Sequence, residues 1–518
     1  GSRVATPLAR AVLKAVAKPL GKALALDAIA KGYSALPSGV PACEFLDRAI
    51  GAFGFKCDIA AGALEHIPAQ GPAVVVANHP FGAMEGLLLA QMLCKVRPDA
   101  KIMANYLLGR VEELRELFIL VDPFGASGAL ARNIAPMRES VAWLRAGGCL
   151  GVFPAGEVAH FTVRERRVAE PEWSPSIARI IASCKATVVP VHFSGANGPV
   201  FHLAGLVHPR LRTMLLGREF VNKARKTVEV RIGRPIDPSR LEGLSDRQAA
   251  GYLRLHTEVL GGAGSGRVPA RFASRPARRQ EALACAQDPG LMQGEISALP
   301  EASLLLASGE FEVREARSPQ IPLVLREIGR LRELTFRKVG EGTGKSLDLD
   351  GFDSRYSHVF IWNRGQREVV GAYRLGRTDE ILERFGPEGL YAATLFKFKP
   401  GFLRELGPAL EMGRSFVRPE YQKSYNALLL LWRGIGTVVA REPRYRRLFG
   451  PVSITNEYQA ASRHLIAGYF ESSSEKPALS RLVKPRTPLR GAGWLKRAAR
   501  SLVTDVERLS ELVSAVEA

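Results

Sequence analysis

The sequence predicts a two-domain protein. A layered α/β domain with a mixed, largely parallel sheet comes first, and an α+β domain follows. Three observations predict this. Strand-like and helix-like runs alternate from residue 73 to residue 233; the stretch GGAGSGRVPARFASRPARRQ (261–280) then breaks the pattern; beyond it, strands pair through short turns. At 518 residues and 46% apolar, the chain is long enough to bury two cores.

Residues 1–40 read as amphipathic helices: within 4–33 the small apolar residues carry Arg10, Lys14, Lys18, Lys22 and Lys31 among them. Such helices either pack on their own domain or lie in a membrane interface. The first domain is expected over 41–260. AVVVAN, KIMANY, FILV, CLGVFP, TVVPVHF and TVEVRIG read as strands, and EGLLLAQMLCKV, RVEELRELF, RESVAWLRAG and IARIIASC as helices. Residues 261–309 read as a linker, and 310–518 as the second domain. There FEVREA, HVFIWN, EVVGAYRLG, ALEMGRSFV and LFGPVSI read as strands, with helices over IPLVLREIGRLRELTFRK and YQKSYNALLLLWRGIGTVVA. The opening Gly1-Ser2 in place of methionine reads as a fragment start.

Lys and Arg number 72 against 51 Asp and Glu, a net charge of +21. That balance implies a polyanionic partner: nucleic acid, an anionic membrane face or an acidic protein. Residues 481–500 alone carry seven basic residues, no acid and Trp494, which suits an anionic leaflet. With no zinc finger, RNP motif or basic zipper, a nucleic acid is not expected. The six scattered cysteines form no C-x-x-C pair, which argues against a metal site or a disulfide framework and fits a reducing compartment. No apolar run approaches the ~20 residues of a spanning helix.

The chemistry concentrates in VVVANHPFGAMEG (74–86). A strand stops at Asn78-His79-Pro80, turns on Gly82 and restarts as a helix at Glu85. A histidine at the carboxyl edge of a strand lies on the rim where α/β sheets hold ligands. A carboxylate holding one ring nitrogen frees the other to take a proton from a hydroxyl. Alternatively, His79 simply caps the helix. GVFPAGEVAH (151–160), with Glu157, and VVPVHFSGANG (188–198), read as a strand ending at Pro190, place further polar loops at sheet edges. DPFGASGALARN (122–133) adds a glycine-rich loop with Arg132.

In the second half, GEGTGKS (340–346) fails as a phosphate loop: Val339 replaces its first glycine, and no helix follows. GASGA (125–129) fails as a nucleophile elbow. Asp348, Asp350 and Asp353 read either as solvated carboxylates or as a pocket for an amine. Glu411, Arg414 and Arg418 surround one strand; Glu411 could be a base for an amine and the arginines could hold a carboxylate or phosphate, or all could be structural ion pairs.

NHPFGAME, FPAGE and VVPV, in that order, resemble the motifs of the glycerolipid (PlsC-like) acyltransferase family over about residues 40–260. The resemblance implies that His79 is the general base and Glu85 its partner, with Asn78, Gly82, Arg132, Phe153, Pro154, Gly156, Glu157 and Pro190 binding substrate. Two departures stand out. Glu85 falls six positions after His79 rather than five, a spacing carried by a branch of that family acting on amino-acid lipids. FPAGEV also lacks the arginine that grips a phosphate, while Glu157 suits a cationic acceptor. EMGRSFVRPEYQ, FRKVGEGTGKSLDLDGFDSRYSH and VVGAYRLG resemble the acyl-carrier-dependent ornithine N-acyltransferases, which have a GNAT-like fold. This implies substrate contacts at Asp348, Asp350, Asp353, Arg414 and Arg418.

The two halves in this order are similar to the bifunctional ornithine-lipid synthases, whose chains usually run on past a helix like DVERLSELVSAVEA, so a shortened C-terminus is expected. The resemblance implies N-acylation of ornithine with a 3-hydroxyacyl chain by the second domain, then O-acylation of the lyso-ornithine lipid by the first. It also implies an acyl carrier protein thioester as donor, no bound cofactor or metal, and a peripheral place on the cytoplasmic face of a bacterial inner membrane. Two other readings stand: a 1-acylglycerol-3-phosphate acyltransferase with a non-catalytic second domain, or a basic membrane- or nucleic-acid-binding protein without activity.

Overall fold

The structure, a computed structural model, describes residues 25–122, 129–163, 167–262, 280–423, 425–455, 457–472, 478–489 and 493–517. Contacts divide the chain into two compact units, 1–266 with 460–472 and 492–518, and 267–459 with 473–491.

The first unit is organised on Ala73–Ala77 (β2), whose residues AVVVA are all buried. A parallel strand covered on both faces needs apolar residues throughout, and β-branched valine suits its extended backbone. The other strands of its sheet are Lys56–Ile59 (β1), Ala100–Asn105 (β3), Phe118–Val121 (β4), Cys149–Val152 (β5), Thr187–Phe193 (β8) and Thr227–Ile232 (β9). The sheet order is β1-β9-β8-β2-β5-β3-β4. Neighbours pair in parallel, except that β8 and β9 are antiparallel. A separate hairpin joins His160–Thr162 (β6) to Arg167–Ala169 (β7).

Alternate residues of β2 feed two cores. Ala73, Val75 and Ala77 pack with helices Ala42–Phe53 (α2) and Ala83–Val96 (α3), after the short Leu26–Ser34 (α1). Val74 and Val76 pack with Ala129–Arg145 (α4), Pro175–Cys184 (α5) and, further along, Asp246–Leu260 (α9). Between β8 and β9 lie Pro199–Val207 (α6), Pro209–Met214 (α7) and Leu216–Asn222 (α8).

Several expectations are corrected. The second of these cores also takes in Leu465, Leu495, Leu509 and Leu512, so the helices Ala460–Ser472, Gly493–Leu502 and Val506–Glu517 belong to the first unit and not to a domain running over 310–518. Residues 280–309 are not linker: Asp288 caps helix Pro289–Ala298 (α10) through the N–H groups of Gly290 and Leu291, and a strand follows at Leu304–Ser308. The motif RVEELRELF forms a 3₁₀ turn over Glu112–Leu117. Cys43 of α2 and Cys94 of α3 form a disulfide with Cα atoms 5.8 Å apart, against the expectation of unpaired thiols. The helices expected over 1–24 lie outside the described residues, as does most of GASGA.

The second unit has a six-stranded sheet. Its order is Leu304–Ser308 (β10), Phe311–Arg317 (β11), Ser357–Asn363 (β12), Glu368–Arg377 (β13), Ala409–Val417 (β15) and Arg447–Phe449 (β16). Every pair is antiparallel except β15 with β16. Phe396–Phe398 (β14) and Val483–Pro485 (β17) make a separate pair. One face of the larger sheet packs Phe360 and Trp362 under helix Pro322–Lys338 (α11), and the other packs Val359 and Ile361 under Tyr425–Arg441 (α12). The register of β13 against β15 shifts between Ala372 and Arg374, so two residues of β15 oppose one. Arg414 sits in that bulge at φ 50°, a left-handed conformation costly for a side chain.

Candidate active site

β2 carries the first-unit site to the rim of its sheet. Asn78 spends its amide on the fold: Nδ2 donates to the carbonyl of Phe193 (3.0 Å) and Oδ1 accepts its N–H (2.7 Å), tying the ends of β2 and β8 together. His79 follows, with its ring centroid 4.6 Å from that of Phe153, the planes tilted by 32°, and its side chain 18% exposed. Nδ1 lies 2.9 Å from Oε1 of Glu85, which is wholly buried. The approach falls short of full hydrogen-bond geometry, and Glu85 Oε2 has no hydrogen-bond partner. Such hydrogen bonds often tighten only when substrate is present.

Glu85 is the third residue of α3 and reaches back over the helix start. Its Oε1 also accepts the N–H groups of Phe81 and Gly82, both at 2.7 Å. Burial pushes its pKa up, but His79 and the two N–H groups outweigh that, and the net shift is down. The residue added to the histidine–acid spacing is taken up by this turn. Gly82 there holds φ 118°, ψ −102°, and a Cβ would lie 3.0 Å from Leu216 Cδ2.

A second carboxylate, missed in the sequence, meets the histidine from behind. Glu170 accepts the backbone N–H of His79 on Oε1 and the indole N–H of Trp173 on Oε2 (2.8 Å). Burial raises its pKa to about 7 despite those bonds. Gly156, at φ 66°, turns the FPAGE loop by donating to Phe153 (3.0 Å), and the carbonyl of Pro154 accepts Ser174 N–H (3.0 Å).

Glu157 is not free for a cationic acceptor alone. Buried Arg212 of α7 donates to it at 2.9 Å, bringing to this loop the guanidinium that FPAGEV lacks. The Arg212 guanidinium makes no other polar contact among the described residues. Two expected residues stand apart. Arg132 pairs with Asp122 at the end of β4 (2.6 Å), three strands from β2. Pro190 does not end its strand: β8 runs on to Phe193. Pro190 lies opposite Val76 where the β9 ladder is interrupted, so its missing N–H costs nothing.

The second unit gathers Asp348, Asp350, Asp353, Glu411 and Arg414 around a residue not foreseen, Arg374 of β13. Its Nη1 donates to Asp350 (2.6 Å), its guanidinium lies 5.1–5.7 Å from the rings of Phe352, Tyr356 and Tyr391, and its Nη2 is buried without a partner. Asp353 also accepts from buried Arg332 (2.7 Å). Asp348 and Asp353 are thus buried rather than solvated. Burial raises Asp353, but Arg332 and Arg374 outweigh it and its pKa falls. In Asp348 burial prevails over Arg414 (3.4 Å away) and the pKa rises; its Oδ2 accepts no hydrogen bond.

Glu411, 1% exposed, accepts the Tyr356 hydroxyl and the N–H groups of Tyr391 (3.2 Å) and Ala392 (2.6 Å), and burial raises its pKa against them. Arg418 is not with these groups. It lies just past the end of β15, seven residues beyond Glu411, where it pairs with Glu368 and Glu420. The GEGTGKS loop does cradle an anion, but that anion is the chain's own Glu333, which accepts from Thr343 (2.9 Å) and Gly344 (2.8 Å).

Residues 20–262 match a family model described as Acyltransferase, and residues 331–433 one described as Acetyltransferase (GNAT) domain. The chain is 30% identical over 201 residues to the lyso-glycine lipid O-acyltransferase of Bacteroides thetaiotaomicron, covering 37% of this chain and 68% of that protein. The chain belongs to the acyltransferase family. This acyltransferase is also 35% identical over 179 residues to the glycine N(alpha)-acyltransferase of Phocaeicola vulgatus, covering 32% of this chain and 54% of that protein. To the L-ornithine N(alpha)-acyltransferase of Brucella abortus it is 27% identical over 162 residues, 30% of this chain and 53% of that protein. The acyltransferase spans about half the length of these last two relatives. Its two matched regions fall one in each compact unit, His79 in the first and Arg374 in the second.

Two predictions follow from the geometry around His79. Gly82→Ala is expected to destabilise the protein by about 1–3 kcal/mol, because that φ, ψ pair is nearly closed to side chains; urea denaturation checks it. Glu170 has its pKa raised on folding, so its contribution to stability is present below pH 4.5 and lost as pH rises through about 7. Glu170→Gln, which cannot ionise, is expected to flatten the fall in stability between those values, as measured by urea midpoints across pH.

Proposed function

We propose that this acyltransferase makes an amino-acid lipid in two steps, the second unit acylating the α-amine of ornithine and the first esterifying the product. The observation that carries the reading is His79 at the sheet rim, with Nδ1 2.9 Å from buried Glu85. Such a pair suits removal of a proton from an acceptor hydroxyl, with no protein nucleophile required.

In the first step the amine nitrogen attacks the carbonyl of a 3-hydroxyacyl thioester. The N–C bond forms, the C–S bond breaks, and the proton lost by the amine, with Glu411 or water as its carrier, ends on the released thiol. In the second step the 3-hydroxyl of the lyso-lipid gives its proton to His79 Nε2 as its oxygen attacks a second acyl thioester. The C–O bond forms, the C–S bond breaks, and the imidazolium, steadied by Glu85, returns the proton to sulfur. The thioester is proposed to be carried by an acyl carrier protein, an acidic partner for a chain of charge +21. No bound cofactor is required. The proposed site of action is the cytoplasmic face of a bacterial inner membrane, where the enzyme would be held peripherally on an anionic leaflet, a reading supported by the lipid acceptor and the charge of +21.

The acceptor of the second step has a free carboxylate and a free ammonium group. Arg212 and Glu157, an ion pair of opposite charges side by side, suit the two ends of that head group. Ornithine as the amino acid is supported by an acidic surplus in the second unit. Asp348, Asp350, Asp353 and Glu411 face three arginines (332, 374 and 414), and Asp348 Oδ2 accepts no hydrogen bond, with Arg414 3.4 Å from it. A glycine-derived lipid is the second reading, favoured by the higher identity to the glycine N(alpha)-acyltransferase, 35% against 27%.

Expression in a host that lacks amino-acid lipids, with extracts resolved by mass, tests the proposal. A new phosphorus-free diacyl lipid with the mass of an ornithine conjugate is expected. A glycine conjugate would select the second reading, and increased phosphatidate alone would sink both. His79→Ala is expected to leave the monoacyl lyso-lipid accumulating, since it removes only the second step. Arg212→Gln is expected to raise KM for the lyso-lipid roughly 10–100-fold with little change in kcat, as for loss of a charged hydrogen bond made equally in ground and transition states; steady-state kinetics check it.

A further inference from the structure

We propose that α6 and α7 form the face by which the first unit lies on an anionic lipid bilayer. The helix PVFHLAGLV (α6) has no charged residue, yet it sits at the surface. Its inward side is Phe201, fully buried, and Gly205, where a Cβ would meet Arg212 Cδ at 3.3 Å. Its outward side is apolar as well. Val200, Leu203 and Val207 are 52%, 62% and 77% exposed, and their spacing of three and four residues makes one stripe. Leu206 flanks the stripe, and α7 adds Leu211 and Met214, all more than 40% exposed.

Ordinary surface helices turn charge outward, and monomers rarely leave more than a few hundred Å² of contiguous apolar surface uncovered. Six large aliphatic side chains within fifteen residues reverse that rule.

The charges around the patch select the occupant. Between residues 199 and 226 the exposed charged side chains are Arg210, Arg218, Arg225 and Lys226, all positive. The only acid in that stretch, Glu219, is buried and paired with Lys223 at 2.8 Å. An apolar face rimmed by cations fits acyl chains below a layer of anionic headgroups. The basic run expected to serve this purpose, 481–500, is divided between the two units. Lys496 and Arg500 of that run are spent on Glu471, and Trp494 lies under Arg167 at 4.5 Å.

The patch also adjoins the His79 site. Arg212 of α7 holds Glu157, and Leu216 of α8 closes on the Gly82 turn. A bilayer held against α6 and α7 would deliver a lipid acceptor beside the catalytic histidine. In that respect the inference rests on the proposed lipid acceptor, although the patch itself does not.

Flotation of the full chain with vesicles of phosphatidylcholine alone, or with phosphatidylglycerol added, tests the inference. The parent is expected to bind the anionic vesicles. Leu203→Glu with Val207→Glu should weaken that binding at least about tenfold, with an unchanged thermal midpoint because both side chains are exposed. Arg210→Glu with Arg218→Glu should weaken binding to the anionic vesicles and leave binding to neutral ones alone. Vesicle binding that survives the first pair of changes, or is absent from the parent, overturns the proposal. So does a parent dimer that the first pair dissolves without loss of vesicle binding, since a second copy would then cover the face. O-acylation of a lyso-lipid dispersed in detergent is expected to persist in both variants. Its absence from the parent as well would refute the proposed function while leaving the membrane face standing.

Discussion

The first site depends on one constraint, that a carboxylate be kept ionised where water cannot reach it. Glu85 has no exposed surface, and an unpaired charge there would be expensive enough to protonate instead. Two backbone N–H groups at the start of α3 and the imidazole of His79 meet that cost. Each part of the neighbourhood then acquires a reason. β2 must end where it does, pinned by Asn78. Gly82 must be glycine to aim two N–H groups at one oxygen. The added residue in the histidine–acid spacing is the length of turn this arrangement uses.

The second unit meets a similar difficulty by pairing rather than by backbone. Arg374 and Arg332 are both fully enclosed, and each is tolerated only because Asp350 and Asp353 lie against it. Buried pairs of this kind are seldom a net source of stability, but breaking one by removing a partner is costly. The bulge in β15 exists for the same cluster. It places Arg414 in a strained left-handed conformation from which its guanidinium reaches Asp348 and Asp350. Strain held in one place by such a network fits a binding role better than a purely structural one.

The layered architecture was legible because its signals are local. AVVVA can only be a strand covered on both faces, and the alternation that follows it implies a parallel sheet. His79 and Glu85 were legible for the same reason, six positions apart on one turn. Glu170 and Arg212 were not. They are 91 and 133 residues from His79 in the chain, and a lone carboxylate before Trp173 or an arginine within PRLRTM carries no periodic mark. Arg374 did leave a signal, an arginine inside the otherwise apolar EVVGAYRLG, where a charge can be buried only if acids converge on it. The true linker is shorter than the sequence suggests because Asp288-Pro289, a helix start, follows closely on the glycine-rich stretch and carries only a local capping signal. The expected end of the second domain failed because nothing local tells a helix which core it will join.

The two carboxylates proposed for chemistry make a final contrast. Glu85 and Glu411 are both buried and both accept a pair of backbone N–H groups, yet their pKa values move in opposite directions. The balance with burial differs. Beside Glu85 the imidazole of His79 and the two N–H groups together outweigh burial. Beside Glu411 the phenol of Tyr356, the two N–H groups and the charge of Arg374 all favour the ionised acid, yet burial prevails. A carboxylate held ionised is suited to steadying an imidazolium while that ring moves a proton. One raised toward neutrality is suited to exchanging a proton itself, as attack by an amine requires. The same backbone device, a pair of N–H groups on a buried carboxylate, thus recurs in both units with different side chains beside it.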